Sequence, residues 1–422
     1  MQKVLLYSML LVIGLIASQF MGDVPQAVRI PITLATMLAL SFIMIHVGYE
    51  FEIDKSRPGS YVKDYAIAFT AAAFPWIFCA LYFVYVMAPQ GLWGTPDLWK
   101  EALLASRFAS PTSAGVLFSM LAAAGLAATW VFKKARILAI FDDLDTILLM
   151  IPLKIMMVGF KWQLMVIVVL IIIMLTLAWR YLNTVRLPTG WLATLTYAAI
   201  ITGISDIIYR LSKTHDPMVP IHIEVLLPAF VLGCMIRSSH GQTHEHQPDM
   251  AHSAGDARAS VIISALFMVL VGLSMPAIET GARESIDGQP VSYVDPGDTL
   301  QYEGVDPALM AEKYAFPGWG MIAVHVLVIT VISNVGKMFP AFCYKREAHW
   351  RERLAVAIGM FPRGEVGAGV LVVSLSYGIG GPILTVAVLS LALNLLLTGV
   401  FIFIVKKLIA GVPTTLANSS LT

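Results

Sequence analysis

The sequence predicts an all-α polytopic membrane protein, and three observations carry that prediction. Of 422 residues, 58% are hydrophobic and 13% charged, against roughly 25% charged in a soluble domain. Mean hydropathy is +0.78, which is more apolar surface than one globular core can hide. The apolar residues gather into about twelve runs, each close to the ~20 residues that cross a hydrocarbon layer. This composition argues against a soluble enzyme, a nucleic-acid binder or a disordered scaffold. The net charge of +1 gives no long-range pull on nucleic acid or another acidic partner. Cys79, Cys234 and Cys343 lie far apart in apolar runs and form neither a disulfide framework nor a metal-binding spacing.

The expected spans are 3–21, 29–52, 63–88, 99–124, 133–159, 163–182, 189–211, 217–237, 258–278, 317–343, 352–377 and 382–409. Lys3 precedes the first run as in a secretory leader, but no A-x-A-like cleavage site follows, so the run is expected to stay as a helix. A cytoplasmic N-terminus places Lys55, Arg57, Lys63, Lys133, Lys134, Arg136, Lys345, Arg346, Arg351 and Arg353 on the inner side, as the positive-inside rule favours. An even count then puts both termini inside, the arrangement expected of a protein of a bacterial inner (plasma) membrane. The inner connection 238–257 carries His240, His244, His246 and His252. Without a cysteine or a scaffold beside them, they read as a solvated loop. The outer connection 279–316 is rich in acids, among them Glu279, Asp287, Asp298 and Glu312, and is expected to be a solvated hairpin.

Charged groups at mid-span are costly, and so they mark function. The fifth span holds Phe141-Asp142-Asp143-Leu144-Asp145, about ten residues and roughly 15 Å of helical rise past Lys133. A lysine or arginine there reaches the interface along its own stem; a short aspartate does not. Asp142 and Asp143 point about 100° apart on a helix and need not share one partner. Lys154, near the outer end of the same span, reads as a snorkelling side chain.

The fourth span is interrupted by Ser110-Pro111-Thr112-Ser113. Proline removes a backbone donor and crowds the preceding turn, so the helix should break. Carbonyls freed beside Thr112 and Ser113 are hard oxygen ligands of the kind small cations prefer, although the hydroxyls can also repair the break themselves. The eleventh span repeats the device in Phe361-Pro362-Arg363-Gly364-Glu365-Val366-Gly367, with two opposite charges beside the proline. The tenth carries Lys337, about 12 Å of helical rise from Lys345. Spans 3–5 and 10–12 thus form two trios with the broken helix in the middle of each, beginning on opposite sides of the membrane. That is the pattern of an inverted repeat whose two interrupted helices, spans 4 and 11, cross around a midplane site. Half-helix ends present partial charges there, which Lys337, Arg363 and Glu365 suit. A secondary transporter follows.

These residues resemble the sodium/proton antiporters of the cation:proton antiporter superfamily, in the branch with paired aspartates. His46-Val47-Gly48-Tyr49-Glu50-Phe51-Glu52, Ser110-Pro111-Thr112-Ser113, the Asp142-Asp143 pair, Leu227-Pro228-Ala229-Phe230-Val231-Leu232-Gly233, Leu270-Val271-Gly272-Leu273, Gly336-Lys337 and Arg363-Gly364-Glu365 carry the likeness in order. The resemblance implies that Asp143 is the main cation- and proton-binding carboxylate and that Asp142 pairs with Lys337 in some states. It also implies a core, 63–159 and 317–409, that moves as an elevator against a dimerisation scaffold, 1–52 and 163–278, in a homodimer. Asp145 and Lys154 depart from the family pattern. The expected function is exchange of a monovalent cation, sodium or lithium, for protons, within a single transporter domain over 1–422 and with no resident cofactor. A potassium/proton antiporter of similar fold is the nearest alternative; a cation channel and a non-transporting sensor would share the acidic site. An intramembrane aspartyl protease needs aspartates from two helices, whereas these sit on one, and no G-x-S-x-G elbow is present, so no enzyme is expected.

Overall fold

The computed structural model describes residues 2–20, 26–49, 58–215, 225–236, 254–274, 306–377 and 379–412. Over these residues the chain is built from helices, as a backbone facing lipid requires, with one isolated bridge between Val185 and Ile236. Helices α1 (Gln2–Gln19), α2 (Gln26–Tyr49) and α3 (Pro58–Tyr82) come first, and α3 runs on through a π turn at Phe83–Met87. Then follow α4 (Pro96–Ser106), α5 (Ala114–Ala123) and α6 (Trp130–Val158). Helices α7 (Trp162–Arg180), α8 (Trp191–His215), α9 (Leu226–Met235) and α10 (Ala254–Leu273) occupy the middle of the chain. The last group is α11 (Pro307–Tyr314), α12 (Trp319–Gly336), α13 (Pro340–Cys343), α14 (Trp350–Gly359), α15 (Glu365–Ser376) and α16 (Gly381–Ala410).

Among the described residues, seven helical segments are long and apolar enough to cross a membrane: 2–19, 30–49, 59–87, 162–180, 191–214, 319–343 (with a turn at 337–339) and 381–410. On α7, Val169 and Ile172 are more than half exposed, as a lipid-facing surface permits. The chain is an integral, multi-pass membrane protein. The expected fourth and eleventh spans are each divided in two, at 107–113 and at 360–364. Helix α6 has 29 residues, about 44 Å of helix, with the three aspartates near its middle.

Two features depart from the sequence reading. The tenth span is not continuous: α12 ends at Gly336, with Lys337 as its C-cap. Pro340, four residues on, has no N–H to return to the Gly336 carbonyl. The outer connection is also not wholly solvated. Asp306 accepts from the Ala308 N–H at 2.9 Å and Pro307 stands at the first helical position, a capped start for α11. At the other end of α11, Lys313 makes a buried ion pair with Glu101 of α4. Ring atoms of Tyr314 occupy the space where a side chain at Gly381 would begin. The histidine-bearing loop 238–257 and the acids at 279–303 lie outside the described residues, apart from 254–257 at the start of α10.

The chain divides into two compact units. Unit 1 comprises Met1–Asp23, Pro58–Met157 and Val271–Thr422, so α1 groups with the segments around the aspartates. Within it α12 packs against both α3 and α16, and α14 against α16. A Cβ added at Gly336 would lie 2.6 Å from the Pro75 nitrogen, so only glycine lets these two backbones touch. One end of unit 1 is tied by charge. Buried Asp64 accepts from Lys134 Nζ at 3.1 Å and from the Tyr344 hydroxyl at 2.8 Å, while Glu347 bridges Lys134 at 3.3 Å and Lys63 at 2.5 Å. Unit 2 comprises Val24–Arg57 and Val158–Leu270. There α2 packs on α8 and α9. A Cβ at Gly48 would sit 2.7 Å from the Gly233 Cα, the close approach that small residues allow between membrane helices.

Candidate functional site

The site is assembled within unit 1 from two helix breaks, the middle of α6 and the end of α12. Pro111 interrupts the fourth span, and the chain re-enters helix only at α5, with Ser113 as its N-cap accepting from the Val116 N–H at 3.4 Å. The second break runs from Met360 to Gly364, with Pro362 at its centre. The breaks bond to each other. The Ser113 N–H donates to the Pro362 carbonyl at 2.9 Å, and the Thr112 hydroxyl donates to the Met360 carbonyl at 2.9 Å. Ser110 donates its hydroxyl to the Ala72 carbonyl of α3 at 2.8 Å. Backbone groups freed by two prolines are thereby satisfied inside the protein, as burial demands.

Asp142 is fully buried and accepts three hydrogen bonds from two donor groups. Lys337 Nζ lies 2.8 and 2.7 Å from its two carboxylate oxygens, and the Thr112 N–H donates to it at 2.6 Å. Lys337 is equally buried, which neither ion tolerates without the other: each loses several kcal/mol of hydration. Asp143, 5% exposed, lies on the next face of α6 and its charge acts on Lys337. Arg363 is fully buried and clasps the second break. It donates to the carbonyls of Ala109, Phe361 and Ser333 at 2.9, 3.2 and 2.9 Å and to Asn334 Oδ1 at 2.8 Å. Its hydrogen bonds therefore balance carbonyls at helix ends, where partial negative charge collects.

The structure thus brings Asp142, Asp143, Thr112, Ser113, Lys337 and Arg363 into one region. Glu365 opens α15, but its side chain lies outside the described residues. Lys154 is half-buried farther along α6. Sequence reasoning missed the role of Arg107, which is fully buried, donates to the Asp145 carbonyl at 3.0 Å and lies over the Trp76 ring at 5.0 Å. The Asp64–Lys134 and Glu101–Lys313 pairs were likewise missed. Their partners lie 70 and 212 residues apart, and no local motif links them.

Fold and site define a polytopic helical membrane protein with two mutually bonded helix breaks beside a buried aspartate–lysine pair. No family model matches the chain, and no curated protein matches it. Among solved structures it is similar to the sodium proton antiporter MjNhaP1 from Methanocaldococcus jannaschii, determined at pH 8. That likeness has a TM-score of 0.54 at 12% identity and covers 93% of this chain and 91% of that one. The shared property is the fold.

Proposed function

We propose that the chain is a secondary transporter that exchanges a monovalent cation, most simply sodium or lithium, for protons across the membrane. The observation that carries this reading is the buried Asp142–Lys337 pair at the junction of two helix breaks, in a chain with the fold of a sodium/proton antiporter. In this reading Asp143 holds either a proton or the cation, and the two compete. Burial disfavours an empty, charged carboxylate in the membrane. Loaded forms therefore cross between the two faces and the empty form does not, which makes exchange obligatory. Carbonyls and hydroxyls at Thr112 and Ser113 supply further hard oxygens to the cation. Asp142 and Lys337 part and re-form as the site loads, with Lys337, Arg363 and Glu365 as the charge-compensating residues. The two broken helices cross at the membrane midplane as an inverted repeat. The core 63–159 and 317–409 moves as an elevator against the scaffold 1–52 and 163–278, through which two copies associate.

The test is proton flux in proteoliposomes carrying an internal pH dye, under imposed gradients of Na⁺, Li⁺ or K⁺, with and without a potential clamp. Cation-dependent proton movement is expected for the wild type. In Asp143→Asn it is expected to disappear while the protein still elutes as a folded species. Normal exchange by that variant would sink the assignment of Asp143. A response to K⁺ alone would move the cargo to potassium, and current without counter-transport would indicate a channel.

A further inference from the structure

Asp145 has no place in the exchange scheme, yet it is 0% exposed and stands one helical turn from Asp142 on the same face of α6. Both of its carboxylate oxygens are buried, and no lysine or arginine reaches them within ion-pair distance. The Tyr65 hydroxyl is the neutral group that interacts with the carboxylate, and the charges of Asp142, Arg107 and Lys337 act on it. Arg107, also 0% exposed, already holds the carbonyl of this same residue through Nη2. Its Nε and Nη1 are buried without partners. A buried carboxylate without a cationic partner and a buried guanidinium with two N–H groups to spare therefore belong to residues already joined through the Asp145 carbonyl. Each is costly alone, and together they match the two-pronged geometry of an arginine–carboxylate pair. Arg363 offers a contrast: its donors meet three carbonyls and an amide oxygen, which leaves it a fastener of the break.

We propose that Arg107 is the resident counter-ion of Asp145, forming a second internal charge pair beside Lys337–Asp142 that withholds Asp145 from cargo cations. A cation arriving at Asp145 would have to displace a guanidinium anchored at the start of the first break and braced on Trp76. The proposal deepens the exchange reading, and its binding arm rests on that reading. It makes Arg107 a residue that limits how many cations the site takes.

The experiment uses the full-length purified chain as wild type, Arg107→Met, Asp145→Asn, the double variant and Arg107→Lys. Thermal unfolding in detergent reads the pair directly. Each neutralising single variant strands a buried charge and should lower the midpoint by about 5 °C, and the double variant should melt above both. Equilibrium binding of radioactive sodium reads the withholding. Saturating occupancy should about double in Arg107→Met, where Asp145 is uncovered. It should return to the wild-type level in the double variant and stay there in Arg107→Lys. Additive losses of midpoint in the double variant would overturn the pair. Unchanged occupancy in Arg107→Met, or doubled occupancy in Arg107→Lys, would overturn the withholding. Failure of the exchange reading shows itself separately, as a wild type that binds no sodium, and the thermal cycle then still decides the pair.

Discussion

Lys337 carries a full charge at 0% exposure, and its ammonium is held by both oxygens of one carboxylate. Removing one partner of such a pair leaves the other charged and dry. Lys337→Met should therefore cost about 3–5 kcal/mol of stability in chemical denaturation. Asp142→Asn added to it should recover most of that loss, because the stranded charge is then gone. The residues of the site were unevenly legible. Asp142, Asp143 and Lys337 stand out in a sequence because charge at mid-span is rare. The bonds of Arg363 and Arg107 do not, because they go to carbonyls of Ala109, Ser333 and Asp145. Every residue has a carbonyl, so such a bond leaves no trace in residue type.

At the scale of elements, α3 and α12 touch backbone to backbone where Gly336 meets Pro75. A larger side chain there must push the helices apart. Gly336→Leu is expected to cost about 1–3 kcal/mol in the same denaturation assay, and it should also shift Lys337, which follows directly. The breaks at Pro111 and Pro362 were readable, since proline and glycine interrupt an apolar run visibly. The end of α12 was harder, because Pro340 acts on a carbonyl four residues back and leaves the apolar pattern intact. Helix α11 escaped notice for a different reason. Its eight residues are short and polar, and its order comes from tertiary contacts: Lys313 on Glu101 and Tyr314 against Gly381.

At the scale of the whole molecule, charged clusters outside the spans set how stability responds to pH. Burial pushes the Glu347 carboxyl up, but Lys63 and Lys134 more than offset this and hold it below its ordinary range. A carboxyl depressed on folding contributes stability above its unfolded pKa, about 4.3, and loses it as pH falls through the folded value. Glu347→Gln should flatten the acid limb of a plot of thermal midpoint against pH below about pH 4.3. Lys313 has the opposite sign. Burial lowers its ammonium pKa, Glu101 and Tyr314 outweigh that, and the net shift is upward. Its contribution is complete below the unfolded lysine value, about 10.4, and fades as pH rises through the folded one. Lys313→Met should flatten the alkaline limb. The overall architecture was the most legible level, since apolar runs of membrane length leave a multi-pass helical bundle as the economical reading. What joins the runs was not, because ion pairs between distant segments answer to three-dimensional proximity.

The two helix breaks share the Ser113–Pro362 and Thr112–Met360 bonds, and this has a consequence for isotope exchange. An amide at the first residue of a helix ordinarily swaps its hydrogen early, because no preceding turn shields it. The amide of Ser113 is instead closed by a carbonyl from a break some 250 residues away in sequence. In deuterium exchange it should rank with the slow amides of α6, and replacing Pro362 should accelerate Ser113 more than Thr112, whose amide is closed by Asp142. Two interruptions that each look like a weak point in a helix brace each other, so that exchange at one break reports the integrity of the other.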